Sequence, residues 1–336
     1  MNKYVGIELL RGLSAVWVML FHYRQVYPGT SYSYGILDPI ISKGGLGVEV
    51  FFVLSGFIMQ IRYKATFSSG FNRRDYAHYL IKRLARIWPL HALCTIAMVI
   101  GAYSTYFFFS TEIEDTRFNF VNIFSSLLLA SFYFESTVDI NMPAWTLSAE
   151  MFAYALLPIV FYTTKFKIGK YVAWSLAIIL AIYLSQFEFS AGFRLLCGYA
   201  AGIFFAEYIH KSDLEYSLLY LAIATFLIYF IFDSYISLLL FFGCIITILC
   251  MVDSSLSMSS LACFLALWLG KLSFPAYIVH WPVRTYLRTA VEITGAKIPD
   301  SAMIFSYTII SFFCAYILHI LVEEPARKYL TTRFTN

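Results

Sequence analysis

The sequence predicts an all-α, polytopic membrane protein with about ten transmembrane helices and with both termini in the cytoplasm. The first indication is composition, since 60% of the 336 residues are hydrophobic and only 13% are charged, whereas about a quarter of the residues of a soluble domain are charged. The second indication is a series of long apolar windows, and the third is the uneven distribution of Lys and Arg between the loops. We expect a single transmembrane domain over residues 1–336, embedded in the lipid bilayer.

Ten apolar windows are long enough to cross a bilayer as helices, which takes about 17 to 25 residues. Two further apolar stretches are shorter or more polar. We expect residues 118–134 to be interfacial or re-entrant, and residues 261–270 to form a short helix on the inner face before the ninth span. The ten windows are residues 5–24, 45–62, 86–109, 145–162, 171–187, 193–210, 216–232, 236–252, 274–291 and 302–322.

The basic residues orient these windows, because Lys and Arg accumulate in cytoplasmic loops. The loop between the second and third windows is strongly basic, so this loop and the N-terminus are expected inside. The next loop is acidic and is expected outside. The segments expected inside contain Arg62, Lys64, Arg73, Arg74, Lys82, Arg83 and Arg86, then Lys165, Lys167 and Lys170, then Arg327, Lys328 and Arg333.

Composition also argues against several classes of function. The net charge of +4 is small and the basic residues lie beside apolar runs, so no nucleic-acid partner is expected. The six cysteines lie within apolar windows, without a spacing that would suit zinc, so no metal is expected. The first window carries Arg11 and lacks a small-residue cleavage site, so we expect a span and not a signal peptide.

Ionisable side chains inside the first window are the main functional signal. Arg11 and His22 are eleven residues apart, which returns to within about 20° of the same helix face, and Glu8 is close enough to pair with Arg11. A charge at mid-bilayer costs about 2.5 to 3.5 kcal/mol on insertion scales, so such residues usually have a function. The alternative is a buried Glu8–Arg11 ion pair with His22 as an interface residue, and this window alone leaves both open.

Two further carboxylates lie near the predicted outer ends of spans, close to the expected depth of His22. Glu49 lies in GGLGVEVFFVLSGFIM of the second span, with Ser55 deeper in the same helix, and Glu150 follows Trp145 in the fourth span. A carboxylate in an apolar span needs a partner. The glycines of the second span are better explained by tight helix packing.

Two groups of basic residues complete the set. Arg83 and Arg86 at the inner face are either topology determinants in contact with lipid phosphate or a site for the phosphates of a cytosolic donor. In the ninth span, His280, Arg284 and Arg288 follow at i, i+4 and i+8, a polar ridge that lipid would not tolerate. By predicted depth, the ionisable groups form a route from the cytoplasm toward the exterior.

Six motifs follow one another along the chain. They are ELLRG followed by His22, GGLGVEVFFVLSGF, RLARIWP, WTLSAE at 145–150, LSFPAYIVHWPV at 272–283 and EEPARK at 323–328. In this order they resemble the acyltransferase-3 family of bacterial membrane O-acyltransferases, over essentially the full chain. The sequence departs from the family pattern at three places: Glu8 stands for the usual Asp, His91 for an aromatic residue, and Phe274-Pro275 for the more common Tyr-Ser.

The resemblance implies a function and a location. Members of this family span the bacterial cytoplasmic (inner) membrane ten times. They transfer an acyl group, commonly acetyl from cytosolic acyl-CoA, to a hydroxyl of a carbohydrate such as lipopolysaccharide O-antigen, a capsule or an exopolysaccharide. Their essential Arg and His correspond to Arg11 and His22. Some members carry an extracytoplasmic esterase-like domain after the last span, and this sequence, which ends at Asn336 without one, is expected to be a stand-alone transferase.

The chemistry of acyl transfer suggests roles for the candidates. His22 is the expected general base, with Glu49 or Glu150 orienting its ring, and a covalent acyl-histidine relay stays open. Arg11 is expected to stabilise charge on the thioester oxygen or to hold the pantetheine arm. The other candidates are Arg83, Arg86 and Ser55 for acyl-CoA, and Trp145, His280 and Arg284 for the acceptor.

Two other interpretations fit a chain with ten spans and central charges. One is a transporter or flippase for a lipid-linked sugar or a small solute, although transporters often contain inverted repeats with broken helices and the sequence shows no internal repeat. The other is a non-catalytic scaffold, which would leave the grouping of His22, Glu49 and Glu150 without a purpose.

Overall fold

The computed structural model describes residues 4–26, 31–70, 72–110, 117–131, 139–163, 191–206, 215–232, 235–252 and 260–335. Within these ranges the chain is helical or connects helices, and none of the described residues forms a strand. The all-α prediction is therefore confirmed. The helices are α1 (Val5–Tyr23), α2 (Asp38–Ile41), α3 (Gly47–Ser69), α4 (Arg73–Phe109), α5 (Phe120–Leu127), α6 (Trp145–Thr163), α7 (Ala191–Ala206), α8 (Glu215–Phe232), α9 (Tyr235–Val252), α10 (Ser260–Thr294), α11 (Asp300–Leu318) and α12 (Glu324–Thr335), with a π-helical turn at His319–Glu323.

Five helical stretches of the described chain are long and apolar enough to cross a membrane. They correspond to the first, second, third, ninth and tenth predicted windows. Helices α6, α7, α8 and α9 lie at the fourth, sixth, seventh and eighth windows, and the fifth window, 171–187, lies outside the described residues. The count of ten and the orientation of the termini stay predictions. The five stretches are Val5–Tyr23, Gly44–Ser69, Arg73–Phe109, Ser260–Thr294 and Asp300–Phe334.

The prediction of a separate short helix over residues 261–270 is wrong. These residues are the first part of α10, which runs without interruption from Ser260 to Thr294. Gly270 lies inside this helix and packs closely: a Cβ at this position would lie 2.7 Å from the backbone oxygen of Glu8. The apolar lengths of two neighbouring stretches do not show whether they form one continuous helix or two.

Residues 118–134 contain α5, which is only eight residues long. Such a helix rises about 12 Å, far less than the roughly 30 Å of the hydrocarbon core. Asn119 caps it by accepting a hydrogen bond from the Asn122 N–H at 2.9 Å. The length of α5 agrees with an interfacial or re-entrant segment and not with a span.

The chain divides into two compact units, each assembled from segments that are distant in sequence. In unit 1, α3 packs directly against α7, and a Cβ at Gly56 of α3 would collide with the Tyr199 carbonyl oxygen and lie 2.8 Å from the Tyr199 Cα. This contact agrees with the packing role expected for the glycines of the second span. Unit 1 contains Met1–Gly12, Val48–Ala77 and Phe152–Lys271, and unit 2 contains Leu13–Gly47, His78–Met151 and Leu272–Asn336.

Unit 2 has an apolar core in which α1, α10 and α11 meet. Tyr23 and Tyr307 are completely buried in the same cluster as Ala276, with their ring centroids 5.2 Å apart. The Tyr23 hydroxyl makes a hydrogen bond of 2.8 Å to Ser311 Oγ, so its polar end is satisfied. These contacts fix the last turn of α1 against α11.

Candidate active site

The centre of the candidate site is a pair of histidines in unit 2. The rings of His22 in the last turn of α1 and His280 in α10 are nearly parallel, with an interplanar angle of 6°, and their centroids are 5.2 Å apart. His22 Nδ1 is 2.9 Å from His280 Nε2, a hydrogen-bond distance. The structure thus brings together two of the residues that the sequence selected, with His280 beside the proposed base and not only in an acceptor site.

The direction of this hydrogen bond follows from the next partner in the chain. His280 Nδ1 lies 2.7 Å from the Tyr277 carbonyl oxygen, which can only accept, so this nitrogen carries a proton. His280 is completely buried, and a buried imidazolium would need a counter-charge, yet the described residues offer no carboxylate bonded to it. We therefore assign the neutral form of His280, in which Nε2 is an acceptor.

The tautomer of His22 is then determined. Its Nδ1 must carry the proton that His280 Nε2 accepts, so its Nε2 holds the lone pair. The result is a linear relay of hydrogen bonds from His22 through His280 to the Tyr277 carbonyl. Such an arrangement leaves the basic nitrogen of His22 available to a substrate.

Pro282 interrupts the backbone hydrogen bonding of α10 next to His280. Proline has no N–H, so the carbonyl four residues earlier, that of Ile278, lacks its usual helical donor. Asn141 Nδ2 donates to that carbonyl at 2.9 Å. The helix therefore continues through Pro282, and the carbonyl it leaves unsatisfied anchors the segment that precedes α6.

A second contact joins α10 to the start of α6. The Tyr277 hydroxyl lies 3.0 Å from the Pro143 carbonyl oxygen and 3.0 Å from Thr146 Oγ1. The WTLSAE and LSFPAYIVHWPV motifs are therefore in direct contact, which explains why both belong to one site. These contacts hold Tyr277 and, through its carbonyl, the His280 ring.

Trp281 and Arg284 extend the site from the histidine pair. The Trp281 indole meets His22 edge-on with ring centroids 5.4 Å apart, and the Arg284 guanidinium lies 4.8 Å from the Trp281 ring centroid, a cation–π contact. Arg284 also donates to the Gln25 carbonyl oxygen. A positive charge is therefore held next to the histidine pair.

The segment around Ile140, which precedes α6, packs against Trp281. Ser131 Oγ donates to Asp139 Oδ2 at 2.6 Å, the Ile140 N–H donates to Ser126 Oγ at 3.1 Å, and the Ile140 side chain packs with Trp281. Asp139 is 5% exposed. Burial raises its pKa from the ordinary value of 3.8 to about 6, although the hydrogen bonds from Ser131 and Ser126 act in the opposite direction.

The candidates in unit 1 form ion pairs. Arg11 Nη1 lies 3.0 Å from Glu8 Oε2, and both side chains are partly exposed. Glu49 is buried and binds Arg194 with an Nε–Oε1 distance of 2.5 Å. Ser55 is half-buried in α3. Arg194 is thus the partner that Glu49 requires as a carboxylate inside an apolar span.

The remaining candidates belong to unit 2. Arg83 is buried with its guanidinium 5.6 Å from the Tyr79 ring centroid, whereas Arg86 is half-buried and Lys82 is exposed. Trp145 and Glu150 are half-buried in the first turns of α6. Within unit 2 the hydrogen bond on the His22 ring goes to His280 and not to Glu150, so the group bonded to this ring is a histidine and not the expected carboxylate. The orienting role expected of Glu49 stays a prediction.

Sequence reasoning missed several contributors. Arg194 was visible as a lone arginine within an apolar window, and Glu49 as a lone carboxylate in another, so their opposite charges were a usable signal for pairing. Asn141 and Asp139 gave no such signal, because they lie in a connecting segment where polar residues are ordinary.

Comparison with known proteins decides the family. A family model described as an acyltransferase domain, Acyl_transf_3, matches residues 4–320, nearly the whole chain. The chain belongs to the acyltransferase-3 family. With its long apolar helices, this acyltransferase-3 protein is a membrane acyltransferase, which favours the enzyme over the transporter and the scaffold. No curated protein and no solved structure matches the chain.

Asp139 predicts a pH dependence of stability. Because the folded state raises the pKa of this carboxyl to about 6 from 3.8, the folded state holds the proton more tightly, and stability falls as pH rises from about 4 to about 6. Two pKa units correspond to about 3 kcal/mol at most. Asp139→Asn removes this loss, so the variant is expected to melt several degrees above wild type at pH 7 and level with it or below it at pH 4.

The measurement is thermal unfolding of the detergent-solubilised protein across this pH range. Asp75→Asn serves as the matched control, because Asp75 is an exposed carboxylate in the first turn of α4. Parallel pH curves for wild type and Asp139→Asn would contradict the assignment.

Proposed function

We propose that this acyltransferase moves an acetyl group from cytosolic acyl-CoA to a hydroxyl of a cell-surface carbohydrate, such as O-antigen, capsule or exopolysaccharide, in the bacterial inner membrane. His22 is the general base. The observation that carries the proposal is the 2.9 Å hydrogen bond between His22 Nδ1 and His280 Nε2. This bond leaves Nε2 of His22 with a lone pair in a chain whose family transfers acyl groups.

The reaction has a balanced course. The acceptor oxygen attacks the thioester carbonyl carbon while His22 Nε2 takes the hydroxyl proton. The new C–O bond forms, the C–S bond breaks, and the proton passes from His22 to the sulfur, which leaves as the free thiol of CoA. If His22 Nε2 attacked the thioester first, an acyl-histidine would carry the group to the same acceptor; both routes need the same unprotonated nitrogen.

His280 would assist His22 as a base in two ways. As an acceptor for the His22 Nδ1–H it holds the ring in one orientation, and it strengthens its bond when His22 becomes an imidazolium, because hydrogen bonds to charged donors are about twice as strong as neutral ones. In many catalytic triads a carboxylate orients the histidine ring and stabilises the imidazolium. Here a neutral ring, itself bound to a backbone carbonyl, is proposed to do so.

On the donor side, Arg83 and Arg86 are proposed to bind the phosphates of acyl-CoA. Burial of Arg83 against Tyr79 and partial burial of Arg86 support this role, since arginines that only contact lipid headgroups would be exposed like Lys82. Arg11 and Ser55 are proposed to contact the pantetheine arm or the thioester oxygen. Trp145 is proposed to contact the acceptor, and the carboxylates Glu49 and Glu150 remain candidates for a supporting role.

Replacement of His22 tests the base directly. His22→Gln keeps a polar side chain but has no titratable nitrogen, so kcat for acyl transfer is expected to fall by about 10²- to 10⁴-fold. The measurement is acceptor-dependent release of free CoA from acetyl-CoA by purified protein, with O-antigen, capsule and exopolysaccharide fragments as acceptors.

His78→Gln is the matched control, because His78 lies in α4 away from the histidine pair, and it is expected to retain wild-type activity. Full activity of His22→Gln would remove the base assignment. Absence of CoA release by wild type with every acceptor would contradict acetyl transfer itself.

Replacement of His280 tests the relay. His280→Phe retains a planar ring but offers no acceptor to the His22 Nδ1–H, so kcat is expected to fall by about 10²-fold, on the scale of a misoriented base. The KM for acetyl-CoA is expected to stay within about twofold, because such a change affects the chemical step more than binding.

His280→Gln provides the discriminating comparison. Its side-chain oxygen can accept the same hydrogen bond, so it is expected to recover a substantial part of the lost kcat. Equal kcat values for the Phe and Gln variants would show that only ring packing matters at this position and would refute the relay.

A further inference from the structure

A cavity of about 540 Å³ opens beside the histidine pair, entirely within unit 2. Trp281 and Arg284 form its buried part, whereas Met142 and Glu292 are exposed at its rim. Its volume is in the range of small-molecule sites. Because Trp281 also contacts His22, a ligand in this cavity would be one side chain away from the proposed base.

Arginines outnumber carboxylates among the residues that line the cavity. The lining contains Arg117, Arg284 and Arg288 but a single carboxylate, that of Glu292. Glu292 Oε1 lies 2.8 Å from Arg288 Nε, and both side chains are partly exposed, so this pair is local to the rim. We call this cavity the arginine cavity, and Arg284 is its buried cation.

Arg284 is the residue that requires an explanation. It is 4% exposed, its Nε is buried without a hydrogen-bond partner among the described residues, and the part of the chain that the structure describes gives it no carboxylate. Its contacts are a backbone carbonyl and an aromatic face. Because a buried guanidinium without a counter-charge is strongly unfavourable, this position favours an anionic ligand.

Trp281 adds a directional donor at the same place. Its indole N–H is buried and has no hydrogen-bond partner among the described residues. A buried indole N–H normally finds an acceptor. An oxygen-rich ligand such as a carbohydrate acid would supply acceptors to this N–H and an anion to Arg284 at once.

We propose that the arginine cavity binds the acceptor and that the acceptor is an anionic carbohydrate, with a carboxylate or phosphate close to the hydroxyl that receives the acyl group. This inference rests on the proposed function and specifies its substrate class. The cavity is lined by the segment after α1, the second half of α4, the residues preceding α5, the residues preceding α6 and the second half of α10. The positive-inside rule predicts all five on the outer side, away from the cytosolic donor.

The test compares anionic carbohydrates with their neutral counterparts. A galacturonic acid trisaccharide is compared with its carboxyl-reduced, neutral galactose counterpart, and galactose 6-phosphate with galactose, by isothermal titration calorimetry and as acceptors in the acetyl-CoA assay. The anionic member of at least one pair is expected to bind about tenfold or more tightly and to have the higher kcat/KM. High salt is expected to reduce that preference.

Three variants on α10 assign the preference to the cavity. Arg288→Gln is expected to weaken binding of the anionic probe about three- to tenfold, and Glu292→Gln to strengthen it by a smaller factor, because the first removes a positive charge from the rim and the second a negative one. Lys271→Gln is the matched control. It removes a positive charge from an exposed position of the same helix outside the cavity and is expected to change nothing.

The outcomes separate the inference from the proposed function. Equal binding of charged and neutral probes, or binding of neither, overturns the inference, even if the protein acetylates a neutral sugar. A change in the KM for acetyl-CoA and not in acceptor binding on Arg288→Gln also overturns it, because the anion would then be that of the donor. Charge-dependent binding without acetyl transfer would support the anionic site and contradict the proposed function.

Discussion

The hydrogen bond between His22 and His280 is the interaction on which the candidate site depends. It defines which nitrogen of His22 is basic, and it exists only because α10 holds the His280 ring by the Tyr277 carbonyl. The same stretch of α10 is anchored at the Ile278 carbonyl. Pro282 has no N–H to donate to this carbonyl, and the Asn141 side chain donates to it instead. A proline that would normally weaken a helix thus couples the histidine pair to the segment before α6.

The environment of this pair is unusual in its charge. The His280 ring is bonded to a backbone carbonyl, the His22 ring meets the edge of Trp281, and the guanidinium of Arg284 lies against the same Trp281. The carboxylate Glu49 is bound to Arg194 in unit 1. An anionic acceptor would offset the positive charge of Arg284. It would also stabilise the positive charge that His22 gains when it takes a proton, so the charge of the acceptor would affect both its binding and the proton transfer.

Much of the fold followed from the sequence, because apolar length and charge distribution are properties of single segments. Within unit 2, His22, His280 and Arg284 stood out for the same reason: each is a polar group in an apolar window. Their pairing could not be predicted, since depth along a helix does not give the direction of a side chain or the identity of the neighbouring helix. The prediction of a separate helix over residues 261–270 was wrong, because apolar length does not show that this stretch continues into the ninth span as one helix. Arg194 and Asn141 needed the fold to reveal their partners.

The protonation state of the two histidine rings is the most direct test of the account. Nitrogen NMR of the protein labelled with ¹⁵N-histidine distinguishes a protonated ring nitrogen from one with a lone pair, and the His22 signals are assigned by their loss in His22→Gln. We expect His22 at neutral pH to carry its proton on Nδ1, with Nε2 unprotonated and Nδ1 coupled through the hydrogen bond to His280 Nε2. A proton on His22 Nε2, or no coupling between the two rings, would contradict the account.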